Sequence, residues 1–573
     1  MRVKRWARII PAVIAVCIVS LTAPVSDAAY SPPYQTLRIG FNYGSSALPS
    51  ANLQNVNGLG QGYDFGYYNS SRSFVSIGAW TGESRISMMM DRNMSWNAGV
   101  GGGAGEYREG TSGDVVIGCY HVQLSSSYNT FDAAKAEAAR HSNAFVRYES
   151  DRFLVLIGRY TSRNAANSAI SSLGLSGATV NAGTGNTITV AKTGTNTILF
   201  EFDKGSTPLG VRPRPIRNEK PVTVFKERQY FGGFQYDRRS GALITVVNFV
   251  DTESYVKGIL PYEMSNSWPL EALKAQACCA RTYALSMLNR HNSDGFDLCN
   301  TAHCQVYRGR GSSNSRTDQA VDETAGKYIT YNGSLCQTYY AASNGGASES
   351  IENVWTAALP YLKGVIDPYE ADIASTASKY YWSVKYTPAQ ITERLRNRGY
   401  NCATIVSIVV TQYTPTGNVH TVTMTDANGK KWTFSKRAAL ITALGVITQR
   451  FNIGGASGTP APASLYANDP AEQLDQSSQY YAVDSSDTAQ TVPRDSMYAI
   501  DDAGDVSAVT GGSSASSSSG SGTGLVDGVF TINGTGNGHL VGLSQWGAYS
   551  MARYHNKNYV EIIKFYYTGV DVG

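Results

Sequence analysis

The sequence predicts an α+β fold: a mixed, β-rich main domain with packed helices, plus a small β-α-β-β-α-β unit. Three observations predict it. Runs rich in β-branched and apolar residues at 187–190, 197–202, 222–225, 232–237 and 243–250 follow one another as strands. The last of them leads through a short helical turn and a sharp loop into one long helix ending near Asn289. Earlier, residues 118–182 alternate as strand, helix, two strands joined at Ser150-Asp151, helix and strand, an order that lays two helices on one sheet.

Taken in order, the chain begins with Arg2, Lys4, Arg5 and Arg8, then an apolar run over 9–25 and small residues at Ser26 and Ala28. This is the pattern of a secretory signal over 1–28, with an uncleaved membrane anchor as the alternative. The whole chain has 48 Lys and Arg against 44 Asp and Glu. Leaving out Arg2, Lys4, Arg5, Arg8 and Asp27 leaves 44 against 43, so the basic excess belongs mostly to the signal. No long basic run remains, which argues against nucleic acid as a partner. Cys119, Cys278, Cys279, Cys299, Cys304, Cys336 and Cys402 lie outside the signal. An odd, sparse set in an exported chain is not a disulfide scaffold.

Residues 34–117 form a β-rich segment, with strands expected at 37–41, 60–68 and 73–80. The loop 99–105 is rich in glycine but has no helix attached, so it is a poor phosphate site. The unit at 118–184 follows. Alternate residues of its first strand, His121, Gln123 and Ser125, fall on one sheet face.

In the long helix Leu270, Leu273, Ala277, Ala280, Ala284 and Met287 recur at helical spacing. Pro269 stands at its start, where the missing N–H costs nothing. Just before it comes Pro261-Tyr262-Glu263-Met264. Pro261 restricts the backbone and holds Glu263 ahead of the helix. A carboxylate among Leu260, Tyr262, Met264 and Trp268 is poorly solvated, and desolvation raises its pKa toward that of a general acid. The plain alternative is one more surface glutamate.

The wording ESYVKGILPYEM, WPLEALKAQA and ARTYAL over 253–285 resembles the SpoIID/LytB family of peptidoglycan-remodelling proteins. YYAASNGGASE at 339–349 and GNGHLVGLSQWGA at 536–548 agree with it. The resemblance implies a catalytic domain over 187–452, completed by 527–573 and interrupted by a Ser/Gly-rich flexible insertion at 453–526. It implies that Glu263 is the catalytic acid of a lytic transglycosylase. It also points to Gln305, Tyr307, Ser343, Asn344, His539, Ser544 and Gln545 as residues of the substrate groove. His539 would bond substrate or orient Glu263, unless it is a simple turn residue. Where the family usually has glycine and methionine, this chain has Leu540 and Leu543. YHVQLSSSYNTFDAAKAEA at 120–138 and RFLVLIGRYTSRNAANSAISSLG at 152–174 are similar to a SPOR domain. That likeness implies binding to glycan strands stripped of stem peptides.

His291, Cys299, His303 and Cys304 put four imidazole or thiol donors within fourteen positions, a set that suits structural zinc. Some members of the family carry zinc on a similar loop. A Cys299–Cys304 disulfide is the competing reading. The expected function is cleavage between N-acetylmuramic acid and N-acetylglucosamine to give 1,6-anhydro ends, in a secreted or envelope-associated protein. The alternative is a non-catalytic glycan binder or enhancer of a cell-wall amidase.

Overall fold

The computed structural model describes residues 30–99, 105–238, 241–355, 357–454 and 524–573, and the backbone of four short strands between 480 and 508. The protein is a strand-rich mixture of sheets and helices. At its centre two large sheets face one another. The seven-stranded sheet runs Leu298–Cys299, Thr36–Asn42, Thr245–Asp251, Gly233–Asp237, Leu209–Pro213, Tyr63–Tyr68, Phe74–Thr81. Phe65 in this sheet stacks on Phe200 of the other at 5.0 Å, and one hydrophobic cluster takes side chains from both. Burial on this scale is the main force holding such layers together.

Thr36–Asn42 pairs antiparallel with Thr245–Asp251 and parallel with Leu298–Cys299. The start of the described chain is thus wedged between the strand that leads to Glu263 and the loop that carries Cys299. Gly40 is needed at this crossing, because a Cβ there would lie 2.4 Å from the Phe296 ring.

Residues 118–184 give Tyr120–Tyr128, Phe131–Ala138, Ala144–Glu149, Arg152–Tyr160, Arg163–Ser172 and Thr179–Asn181 in the expected element order. Thr130 and Ser162 cap the two helices through their side chains. The unit does not have a sheet of its own. Ala144–Glu149 runs parallel to Ile198–Asp203, and the ladder continues into a ten-stranded sheet. One consequence corrects the sequence reading of its exposed face. Only Ser125 of the three alternate residues is exposed. His121 is buried beside Glu201 and Phe145, and the Gln123 side chain accepts a hydrogen bond from Asn181.

The long helix is Leu270–Ser286, and it is buried almost all round, from Ala272 to Leu285. One apolar stripe therefore understates it. Small residues on its other faces let neighbouring segments close in, and Arg281 is satisfied inside by Glu253 at 2.6 Å. A second hydrophobic cluster, with Ile391, Ile405, Val422, Leu440, Phe451 and Phe530, lies within residues 381–453 and 529–535. Two ladders fall in the region expected to be flexible, Tyr480–Val483 with Ala489–Val492 and Tyr498–Ile500 with Val506–Ala508. The rest of 455–523, like the expected signal at 1–28, lies outside the described residues. Among the described residues no helix is long and apolar enough to cross a membrane.

Candidate active site

Glu263 ends the short helix Leu260–Glu263, which has Pro261 near its start, and Met264 leaves it in extended conformation. The side chain is half-buried and lines a cleft of about 460 Å³. Its other walls include Tyr283, Arg290, His303, Cys304, Gln305, Tyr339, Tyr340, Trp355 and His539. Among the described residues Glu263 is the one carboxylate in this lining. Burial pushes its carboxyl above the ordinary value, while hydrogen bonds from Gln545 and Tyr340 hold the rise in check. Gln545 Nε2 donates to Glu263 Oε2 at 3.3 Å, with Gln276 Oε1 at 3.4 Å as its other acceptor. Gln305 sits behind this pair. It donates to the Tyr340 hydroxyl at 3.0 Å and accepts from Tyr255 at 3.0 Å.

The two distant sequence blocks meet through backbone pairing. Tyr340–Ala341 runs parallel to Leu543–Ser544, so Tyr340 and Gln545 come together at Glu263. His539 is in the same cleft, against the Trp355 ring at 5.2 Å. Burial and the nearby Arg437 push its pKa down to about 4, which leaves it neutral at pH 7. Its Nδ1 accepts from the Val541 N–H at 3.0 Å, so it braces its own turn.

Four expected groove residues have other work. Tyr307 is buried in the core and donates to Asn248 Oδ1 at 3.2 Å. Ser343, Asn344 and Ser544 are also buried, and all three turn toward acidic groups that the sequence reading did not name. Glu370 accepts from Ser343 Oγ at 2.7 Å, from the Asn344 and Gly345 N–H groups at 2.8 and 2.7 Å, and from Ser544 Oγ. Asn344 Nδ2 donates to Asp367 at 2.7 Å. Ser544 further accepts from Gly547 N–H as the cap of the helix Gln545–Tyr554. Gly345, at φ +71°, is packed against Thr535 and Gly536, so its smallness serves the crossing of the two loops. Glu349 is also buried and is bonded by Thr414, Thr416 and Asn418.

His291, Cys299, His303 and Cys304 do converge, with one ligand atom from each within 4.8 Å of the rest. His303 Nδ1 is 3.3 Å from His291 Nε2, 3.7 Å from Cys299 Sγ and 3.5 Å from Cys304 Sγ. Edges of roughly 3.3 to 3.8 Å are what a tetrahedral zinc shell of such donors requires. Asp294 lies 3.0 Å from His291 Nδ1, the orienting carboxylate that metal-bound imidazoles commonly have. The seven described cysteines are free thiols. The donor set therefore fits zinc. The loop is pinned by Asp297, which is fully buried and bonded by Arg38 and Arg72 at 2.9 and 2.8 Å.

The family model described as SpoIID, stage II sporulation protein, matches residues 240–331, which hold Glu263, the long helix and the Cys/His loop. An uncharacterized protein of Brachyspira hyodysenteriae is 31% identical over 375 residues, 64% of this chain and 80% of its own length. An amidase enhancer of Bacillus subtilis is 43% identical over 121 residues, 21% of this chain and 16% of that protein. Stage II sporulation protein D of Bacillus subtilis is 30% identical over 164 residues, 26% of this chain and 47% of its own. Residues 240–331, which carry Glu263, thus form a SpoIID family domain, and the chain is similar to these relatives over the parts given.

Proposed function

We propose that this protein is a lytic transglycosylase of peptidoglycan, with Glu263 as its single acid and base. The observation that carries the reading is one desolvated carboxyl in an aromatic-walled cleft with no second carboxylate among the described residues of its lining. Hydrolysing glycosidases need two such groups. One is enough when the nucleophile belongs to the substrate.

The protonated Glu263 donates its hydrogen to the oxygen between N-acetylmuramic acid and N-acetylglucosamine. The C1–O bond breaks, and the C6 hydroxyl of the same muramic acid bonds to C1. Its proton passes to the Glu263 carboxylate, which restores the acid. No water is consumed, and the product ends in a 1,6-anhydro sugar. An internal hydroxyl has a high effective concentration, which replaces the missing base or nucleophile. Tyr339, Tyr340 and Trp355 offer ring faces to the sugars. Arg290 offers a guanidinium to a carboxylate of the glycan.

In this reading His291, Cys299, His303 and Cys304 hold zinc. Four protein ligands close the shell, so the ion when bound supplies a cross-link to the cleft wall and no site for water. Residues 118–184 act as a SPOR-like module for peptide-free glycan, and residues 1–28 direct export to the envelope. Glu263→Gln is expected to keep the fold and abolish anhydro ends when digested sacculi are examined by mass spectrometry. Full cleavage by that variant would remove the assignment.

The identity to an amidase enhancer favours a second reading, in which the protein binds glycan and stimulates a cell-wall amidase without cutting. Faster amidase action with no anhydro ends would select it.

A further inference from the structure

A buried cluster remote from the cleft takes no part in this chemistry. Asp91 follows the strand Arg85–Met90, His121 stands in Tyr120–Tyr128 and Glu201 in Ile198–Asp203. The three come from different strands of the ten-stranded sheet, and one ligand-type atom from each lies within 4.8 Å of the others. They are 6%, 1% and 0% exposed.

Two independent observations point to a cation as their shared partner. Neither carboxylate oxygen of Asp91 has a hydrogen-bond partner among the described residues. Burying such a group unpaired is costly, and proteins seldom do it. The second observation is the ring of His121. Its Nδ1 is 2.7 Å from the Gly158 carbonyl, which can only accept, so Nδ1 carries the proton. Nε2 then turns toward Glu201 Oε1 at 3.2 Å without hydrogen-bond geometry. Glu201 raises the pKa of this ring, so a proton on Nε2 links the two side chains, and a cation bonding both would take the place of that proton. The separation also suits two ligands on one ion, for which roughly 3.3 Å is expected.

The surroundings support the same conclusion. The Gly158 carbonyl orients the imidazole, and Thr189 Oγ1 donates to Glu201 Oε1 at 3.0 Å, as second partners of metal ligands do. Asp91, Glu149, Glu201 and Asp203 gather around Arg147, Arg238 and His121, and burial together with Glu201 pushes the Asp91 carboxyl up to about 8, a cost that a bound cation would relieve.

We propose that Asp91, His121 and Glu201 bind one divalent first-row cation, which fastens residues 118–184 to the neighbouring strands of the same sheet. One imidazole and two carboxylates suit Mn²⁺ or Zn²⁺, whereas the thiolates of the Cys/His loop disfavour Mn²⁺. Mn²⁺ thus separates the two centres.

The test uses the full chain, stripped with chelator and titrated with Mn²⁺ while free ion is read by electron paramagnetic resonance. Wild type is expected to take up one equivalent in a saturable way and to melt at a higher temperature when loaded. Asp91→Asn, nearly the same in size, is expected to bind at least tenfold more weakly and to lose the Mn²⁺-dependent rise in melting temperature. If Asp91→Asn does not fold, Glu201→Gln and the wild-type melting shift carry the test. Equal binding by wild type and a folded variant overturns the proposal, and so does a wild type with neither saturable uptake nor a melting shift.

Discussion

Glu263 and Glu370 are both carboxyls pushed upward by burial, yet they stand in opposite settings. Glu263 lines an open cleft and has two side-chain partners. Glu370 is fully buried and accepts from two hydroxyls and two backbone N–H groups, with its carboxyl pushed up to about 7 by burial and by Asp367. A desolvated carboxyl is thus not enough for acid catalysis; a substrate must reach it. Glu370 instead ties the turn Ser343–Gly345 to Ser544, the residue before Gln545. Through Gln545 it sets the surroundings of Glu263 without touching the cleft.

The comparison can be broken most directly by activity. Glu263→Gln is expected to lower glycan cleavage by about 10²- to 10⁴-fold, the usual share of a general acid, with the melting temperature nearly unchanged. Glu370→Ala is expected to lose stability and activity together. It removes an acceptor shared by four buried donors, which costs on the order of 3 kcal/mol, measurable by denaturant unfolding. A stable, inactive Glu370→Ala would give Glu370 a role in the chemistry instead.

Dependence on pH separates the two further. Glu370 lies near 4.5 when unfolded and at about 7 when folded, and its neighbour Asp367 is also raised. A raised carboxyl favours the protonated native state, so this contribution is full below about pH 4.5 and is lost as pH climbs to about 7. Unfolding midpoints of wild type should fall across that window, and Glu370→Gln should flatten the fall. Glycan cleavage should decline with rising pH through the raised pKa of Glu263, because the acid must begin protonated. The smallest expected effect is that of Trp355→Ala. Loss of one ring face weakens glycan binding by several-fold, read as a higher KM with little change in kcat.

Much of this was legible in the sequence where the cause is local. Pro261 before Glu263, the proline-led long helix and the close spacing of His291, Cys299, His303 and Cys304 act over a few residues, and the structure keeps them together. Ser343, Asn344 and Ser544 were misread because their partner, Glu370, lies 26 to 174 residues away, and nothing near it in the chain marks a buried acid. Tyr307 was misread for a related reason: a tyrosine beside a cleft residue gives no sign of which way its ring turns. His121 was placed on an open face because strand alternation cannot tell that Glu201, 80 positions later, closes over it. The strands Ser50–Asn55 and Arg85–Met90 escaped notice because burial on both faces blurs their alternation, and the half-buried Asn52 among them donates to the Gly105 carbonyl.

The central claim is that Glu263 passes a proton between two oxygens of the glycan and leaves water out. It is tested by digesting peptide-free glycan strands in ¹⁸O-labelled water with wild type and Glu263→Gln side by side, followed by mass spectrometry of the new ends. The account predicts unlabelled 1,6-anhydro ends from wild type and none from the variant. Reducing ends carrying ¹⁸O, or anhydro ends made equally well by Glu263→Gln, would contradict it.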